Sequence, residues 1–124
     1  MIIEDEQDIL SLYKDFLIRK GHHVVASSTF AEKALDDYIN LRPDVVLIDY
    51  KLPGKNGLDA SKEILKEDGK ARILILSAYE NLREKIEKEE FFQDKNISFF
   101  IKPLRLARLE EVLFKIYSFE PRTI

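Results

Sequence analysis

The sequence contains no cysteine and no tryptophan, and only 4 glycines and 4 prolines among 124 residues. Without cysteine, disulfide scaffolds, zinc fingers and thiol catalysis are excluded. No apolar run approaches the roughly 20 residues that span a bilayer, and no basic-then-apolar segment opens the chain. The expectation is a soluble, cytoplasmic protein with no membrane contact. A basic surplus is missing too: 20 Lys and Arg stand against 23 Asp and Glu, a net charge of −3. That balance gives no support for a broad nucleic-acid surface. What is present, 45% hydrophobic and 35% charged residues, suffices for one well-cored domain at this length and is too little for two.

Short apolar runs alternate with amphipathic stretches. The runs are Met1–Ile3, Val24–Ala26, Val45–Ile48, Ile73–Leu76 and Ile97–Ile101. Several are unbroken and rich in Val and Ile, as expected of strands covered on both faces. Ile9, Tyr13, Phe16 and Leu17 share one helical face, with Gly21 as a stop. Thr29 and Glu32 form a capping-box pattern ahead of Ala31, Ala34, Leu35 and Tyr38. A third helix is expected after Asn56, with Leu58, Ile64 and Leu65 inward and Gly69 at its end. The last runs from about Leu106 to Tyr117 on a stripe of Leu106, Leu109, Leu113 and Ile116. Between them, Leu82 to Asp94 has a thin apolar face and charges suited to pairing of Glu84 with Lys88 and Arg83 with Glu87. It reads as a mobile or partner-facing helix. The adjacent His22 and His23 face opposite ways in a strand and make a poor chelating pair.

A repeated βα alternation implies a parallel sheet with helices on both faces and right-handed crossovers. Ligands of such sheets bind beyond the carboxyl ends of the strands. Those ends are polar: the first run is followed by Glu4, Asp5 and Glu6, the third by Asp49, the fourth by Ser77 and the fifth by Lys102-Pro103. Clustered carboxylates repel, and a divalent cation relieves the conflict. Magnesium prefers hard oxygens and is often held by one or two carboxylates with waters and phosphate oxygens. Asp5 and Asp49 suit that role, with Glu4 acting through a water. Adding an ammonium at Lys102 and a hydroxyl at Ser77 makes a set suited to phosphoryl transfer, which mostly requires positioning and charge neutralisation. Asp49 is the best nucleophile, since carboxylates form aspartyl-phosphate intermediates.

Glu4-Asp5, the segment from Val45 to Gly54 with Asn56-Gly57, Ser77-Ala78 and Lys102-Pro103 together resemble the receiver domain of bacterial and archaeal response regulators. The resemblance covers residues 1–119 as one domain, leaving a short tail over 120–124. It implies a flavodoxin-like five-stranded parallel sheet in order 2-1-3-4-5 and a stand-alone receiver in two-component signalling, not an enzyme. Asp49 is the implied phosphoacceptor, served by a sensor histidine kinase. Asp5, Asp49 and the backbone carbonyl of Lys51 are the implied Mg²⁺ ligands, and Glu4 supports the ion through water. Ser77 and Lys102 would contact the phosphoryl oxygens; Ser77 would move toward them as one half of the switch, and Phe99, at the aromatic switch position, would enter the space it leaves. The Lys102-Pro103 bond is cis in many relatives. Lys51 and Tyr79 would flank the path of attacking water. An unknown downstream protein is implied at the fourth helix, fifth strand and last helix, with a phosphorylation-dependent dimer as a further option and no direct contact with nucleic acid.

The pattern also departs from the family. The first run is three residues long, the Gly-Ala often found before the last strand is Lys95-Asn96, and Phe99 lacks the hydroxyl of the commoner tyrosine. Each fragment taken alone has an ordinary reading. Glu4, Asp5 and Glu6 suit a helix start, Asp49 a turn, Ser77 and Lys102 solvated positions, and Phe99 the core. Two functional alternatives stay open. One is a receiver-like interaction module that never takes phosphate. The other is a magnesium-dependent phosphatase of the haloacid dehalogenase type, which wants a second aspartate where Lys51 stands.

Overall fold

The computed structural model describes residues 1–117 and residue 124. Five strands, β1 (Ile2–Ile3), β2 (Ser27–Ser28), β3 (Val46–Asp49), β4 (Arg72–Ser77) and β5 (Asn96–Ile101), form one sheet in the order β2-β1-β3-β4-β5. Every neighbouring pair is parallel. Helices α1 (Gln7–Arg19), α2 (Ala34–Leu41), α3 (Gly57–Glu67) and α4 (Asn81–Lys88) fill the four crossovers, and α5 (Leu106–Tyr117) follows β5. The flavodoxin-like expectation holds in strand order and direction. Among the described residues, no helix is long and apolar enough to cross a membrane.

The unbroken apolar runs are explained by two cores. Successive strand residues point to opposite faces. Ile3, Val46, Ile48, Ile73 and Ile75 therefore enter the layer that packs on α2, α3 and α4. Ile2, Leu47, Leu74 and Leu76 join Leu10, Tyr13, Leu17, Leu109 and Leu113 of α1 and α5 on the other side. A charge at either set of positions would be buried without water. The interior strand β1 is brief, but its pairing extends to Met1, whose carbonyl accepts from Leu47 N at 2.9 Å and whose amine donates to Val45 O at 3.0 Å.

Several local expectations change. The second strand forms at Ser27–Ser28, not Val24–Ala26, because the sheet register requires those residues beside Ile2 and Ile3. Of the run before it, Ala26 O still accepts from Ile2 N at 3.1 Å, while Ile124 pairs beside it, its amide donating to His23 O and its carbonyl accepting from Val25 N. Ile124 is buried, and the rest of the expected tail from 120 to 123 lies outside the described residues. The capping box is not made: α2 begins at Ala34 without a side-chain cap, and Glu32 reaches away to accept from Lys55 N at 3.3 Å. A long-range acceptor position wins over the local one.

The fourth helical stretch stops at Lys88, after which Glu90–Phe92 form a single 3₁₀ turn. That break lets Phe92 bury while Phe91 meets it edge-on at 5.2 Å between ring centres. Glu84 pairs with Lys88 as expected, but Arg83 pairs with Glu80 at 2.8 Å and not with Glu87. Helix α3 keeps Leu58, Ile64 and Leu65 inward, and its start is capped by Asn56, whose side chain accepts from Asp59 N at 2.8 Å. Its end is made by the extended Asp68 and not by Gly69.

Candidate functional site

The parallel sheet delivers the polar strand ends to one rim. Glu4 follows β1, and its amide is fixed by Ser28 O at 3.0 Å. Asp49 closes β3, Ser77 closes β4, and all three side chains are buried. Lys102 follows β5, its amide donating to Ser77 O at 2.9 Å and its peptide bond to Pro103 cis. Gly57, the first residue of α3, has no room for a Cβ, which would overlap the carbonyl of Asp49. The helix start thus closes directly over the end of β3, and Gly57 N ties it down by donating to Tyr50 O at 2.7 Å.

The centre of the site is one cation between two carboxylates. Lys102 Nζ donates to Glu4 Oε1 at 2.9 Å and to Asp49 Oδ2 at 3.0 Å. Carboxylate oxygens of Glu4, Asp5 and Asp49 can all lie within 4.8 Å of one another, with Asp5 exposed and the other two buried. One ammonium does not settle this much negative charge. Burial pushes the Glu4 carboxyl up to about 8, Asp49 adds to that push, and Lys102 only partly opposes it. Burial also works against the Lys102 ammonium, yet its bonds to Glu4 and Asp49 hold it above its usual value. Glu4 Oε2 is buried and has no hydrogen-bond partner. A hard divalent cation fits this set, because it supplies positive charge to three oxygen donors and a reason for the orphaned oxygen.

The remaining sequence-predicted residues lie around this centre. Ser77 makes no bond to Asp49; its Oγ accepts from Tyr79 N at 2.9 Å. Lys51 occupies the loop after β3, and its ammonium stands over the Tyr79 ring at 5.9 Å. Phe99 is buried in β5 opposite Ile75. Two partners were not foreseen. The Arg83 guanidinium lies over the Phe99 ring at 4.7 Å, and the Tyr13 hydroxyl donates to Leu104 O at 3.3 Å. A tyrosine on an otherwise apolar helix face is a signal that a buried acceptor waits for it. The stacking of Arg83 has no comparable sequence mark.

Comparisons with known proteins agree with this geometry. A family model described as the response regulator receiver domain matches residues 1–114. The chain is 32% identical over 116 residues to the chemotaxis protein CheY of Thermotoga maritima, covering 94% of each chain. It is 30% identical to CheY of Bacillus subtilis over 115 residues, 93% of each. Among solved structures, response regulator TrrA of Thermotoga maritima in complex with Mg²⁺ and BeF superposes with a TM-score of 0.78 at 26% identity, over 93% of this chain and 95% of that one. The CheX–CheY–BeF3–Mg complex of Borrelia burgdorferi, at 22% identity and a TM-score of 0.79, covers 94% of this chain and 86% of that one and shares its fold.

Proposed function

The chain belongs to the response regulator receiver domain family, and from that premise we propose that it is a phosphorylation switch whose acceptor is Asp49. The observation that carries this reading is the unresolved charge at the rim: two buried carboxylates, one shared ammonium and an orphaned Glu4 oxygen. Asp5, Asp49 and the Lys51 carbonyl would hold Mg²⁺, with Glu4 supporting it through a water. The bound ion would supply positive charge beside the phosphoryl oxygens. An Asp49 carboxylate oxygen forms the new bond to phosphorus while the phosphorus–nitrogen bond of a histidine kinase's phosphoimidazole breaks. The electron pair of that bond leaves with the imidazole. Lys102, already at Asp49, pairs with the transferred group, and the Ser77 hydroxyl donates a hydrogen bond to it. The protein accepts and relays a phosphoryl group and does not turn over a substrate. Its setting is the cytoplasm.

The phosphoryl group brings roughly −1.5 to −2 charges to the rim. Reversing a 1:99 equilibrium takes about 5.5 kcal/mol, whereas one charge-assisted bond contributes about 1.5–3 kcal/mol. Ser77, Lys102 and the Phe99 packing therefore have to act together. Phe99 and Arg83 line a groove of about 550 Å³ that also includes Phe100, Ile101, Pro103 and Arg108. This α4–β5–α5 face is where a downstream protein, or a second copy, would read the switch.

The test is incubation with an acyl-phosphate donor and Mg²⁺ followed by intact-mass measurement. Wild type gains one phosphoryl group, and Asp49→Asn gains none. An unmodified wild type would favour the phosphate-independent interaction module. Tyr79→Ala, which removes the ring under Lys51, should shorten the lifetime of the phosphorylated form several-fold; equal decay rates would show that this pair does not screen the site.

A further inference from the structure

We propose that Tyr13 is a positioning residue for Lys102, its hydroxyl holding the loop after β5 through Leu104 so that the ammonium stays between Glu4 and Asp49. The functional half of this rests on reading Lys102 as the cation that pairs with the phosphoryl group; the structural half does not. Tyr13 sits on α1 in a layer of Leu10, Leu17, Leu109 and Leu113. A phenol in such a layer needs a hydrogen-bond partner. The partner is the carbonyl of Leu104, 91 residues away and 3.3 Å from the hydroxyl.

Leu104 lies two residues beyond Lys102, in the short link between β5 and α5. The other end of that link is tied to β4 by Lys102 N donating to Ser77 O at 2.9 Å. The Lys102 backbone is therefore pinned from both sides, by β4 before the cis bond and by α1 after it. A lysine side chain has much rotamer freedom to lose. Fixing its backbone narrows the positions that Nζ can reach. Packing does not account for the hydroxyl, because a phenylalanine ring would fill the same space. Burial first, and then the negative charge of Glu4, hold the Tyr13 phenol above its ordinary value, so it remains a donor.

The experiment uses the full chain carrying Tyr13→Phe. In metal-free protein, nitrogen NMR of the Lys102 ammonium should show a shifted or exchange-broadened signal relative to wild type. With Mg²⁺ saturating, beryllofluoride affinity should fall about fivefold, the worth of one hydrogen bond. Affinity for Mg²⁺ alone should stay unchanged. In a Lys102→Ala background Tyr13→Phe should have no further effect on beryllofluoride, as expected of two residues acting through one group. An unaltered Lys102 signal overturns the proposal, as does a parallel loss of Mg²⁺ and beryllofluoride binding. If wild type binds no beryllofluoride, the phosphoryl reading fails while the Lys102 signal still decides the role of Tyr13.

Discussion

At the carboxyl ends of the strands Glu4 and Asp49 share one ammonium, whereas at the opposite end of the sheet Asp68 has a partner for each oxygen. The Tyr38 hydroxyl donates to Asp68 Oδ2 at 2.7 Å, Arg42 approaches the same oxygen at 3.4 Å, and Lys70 N donates to Oδ1 at 3.0 Å. The hydrogen bond from Tyr38, helped by Lys70 and Arg42, lowers the Asp68 carboxyl below its ordinary range. Glu4 moves the other way, up to about 8. Both clusters tie distant elements together, but only the one joining α2 to α3 is satisfied. Arg42 even accepts a left-handed backbone, φ 44°, while its guanidinium lies over the Tyr38 ring at 5.5 Å. A satisfied network fastens the fold; a network left in conflict is poised to take a ligand.

The sharpest way to break this contrast is Glu4→Gln. A side chain that cannot ionise can offer the ion no carboxylate, so Mg²⁺ affinity should fall about 10- to 100-fold, as for other outer supports of a metal site. Titration calorimetry decides it, and unchanged affinity would remove Glu4 from the metal site. The same variant has a pH signature. The folded Glu4 pKa is raised from 4.5 to about 8, so its contribution to stability is full below 4.5 and lost as pH rises through about 8. Metal-free wild type should therefore lose melting temperature on that rise, and Glu4→Gln should flatten the loss.

A smaller effect is expected at the far end. Tyr38→Phe should cost about 0.5–1.5 kcal/mol at neutral pH, the net contribution of an ordinary hydrogen bond, because the Asp68 acceptor is partly exposed to water. Here the sign reverses. Asp68 has a lowered folded pKa, so its contribution is present above the ordinary carboxylate value and disappears as pH falls through the folded one. The stability gap between wild type and Tyr38→Phe should narrow in acid, and phosphoryl uptake should be untouched. If both variants showed the same pH slope, the two clusters would not differ in kind.

Much of the rim was legible because its residues close strands. Asp49 and Ser77 end β3 and β4, Glu4 and Lys102 follow β1 and β5 directly, and a parallel sheet gathers such ends whatever the loops do. Phe99 was legible only as a position. That Arg83 covers it was decided by how α4 packs on β5, with the same guanidinium pairing to Glu80 and not to Glu87. Tyr13 read as one member of a helical stripe, since nothing near it in the chain marks Leu104 as its acceptor. Glu32 misled for the related reason that a local capping pattern competes with any tertiary acceptor role, here to Lys55 N.

The sequence by itself determined the βα alternation, the two-sided burial of the strands and the order of acidic, hydroxyl and basic groups along the rim. These follow from side-chain periodicity and from which residue ends an apolar run, and both are local properties. Only the tertiary structure decided that Lys102 would bond Glu4, 98 residues away, as well as Asp49, and that one Glu4 oxygen would be left without a partner. Hydrogen bonds and charge desolvation act over a few ångströms of space, and distance along the chain carries no record of them.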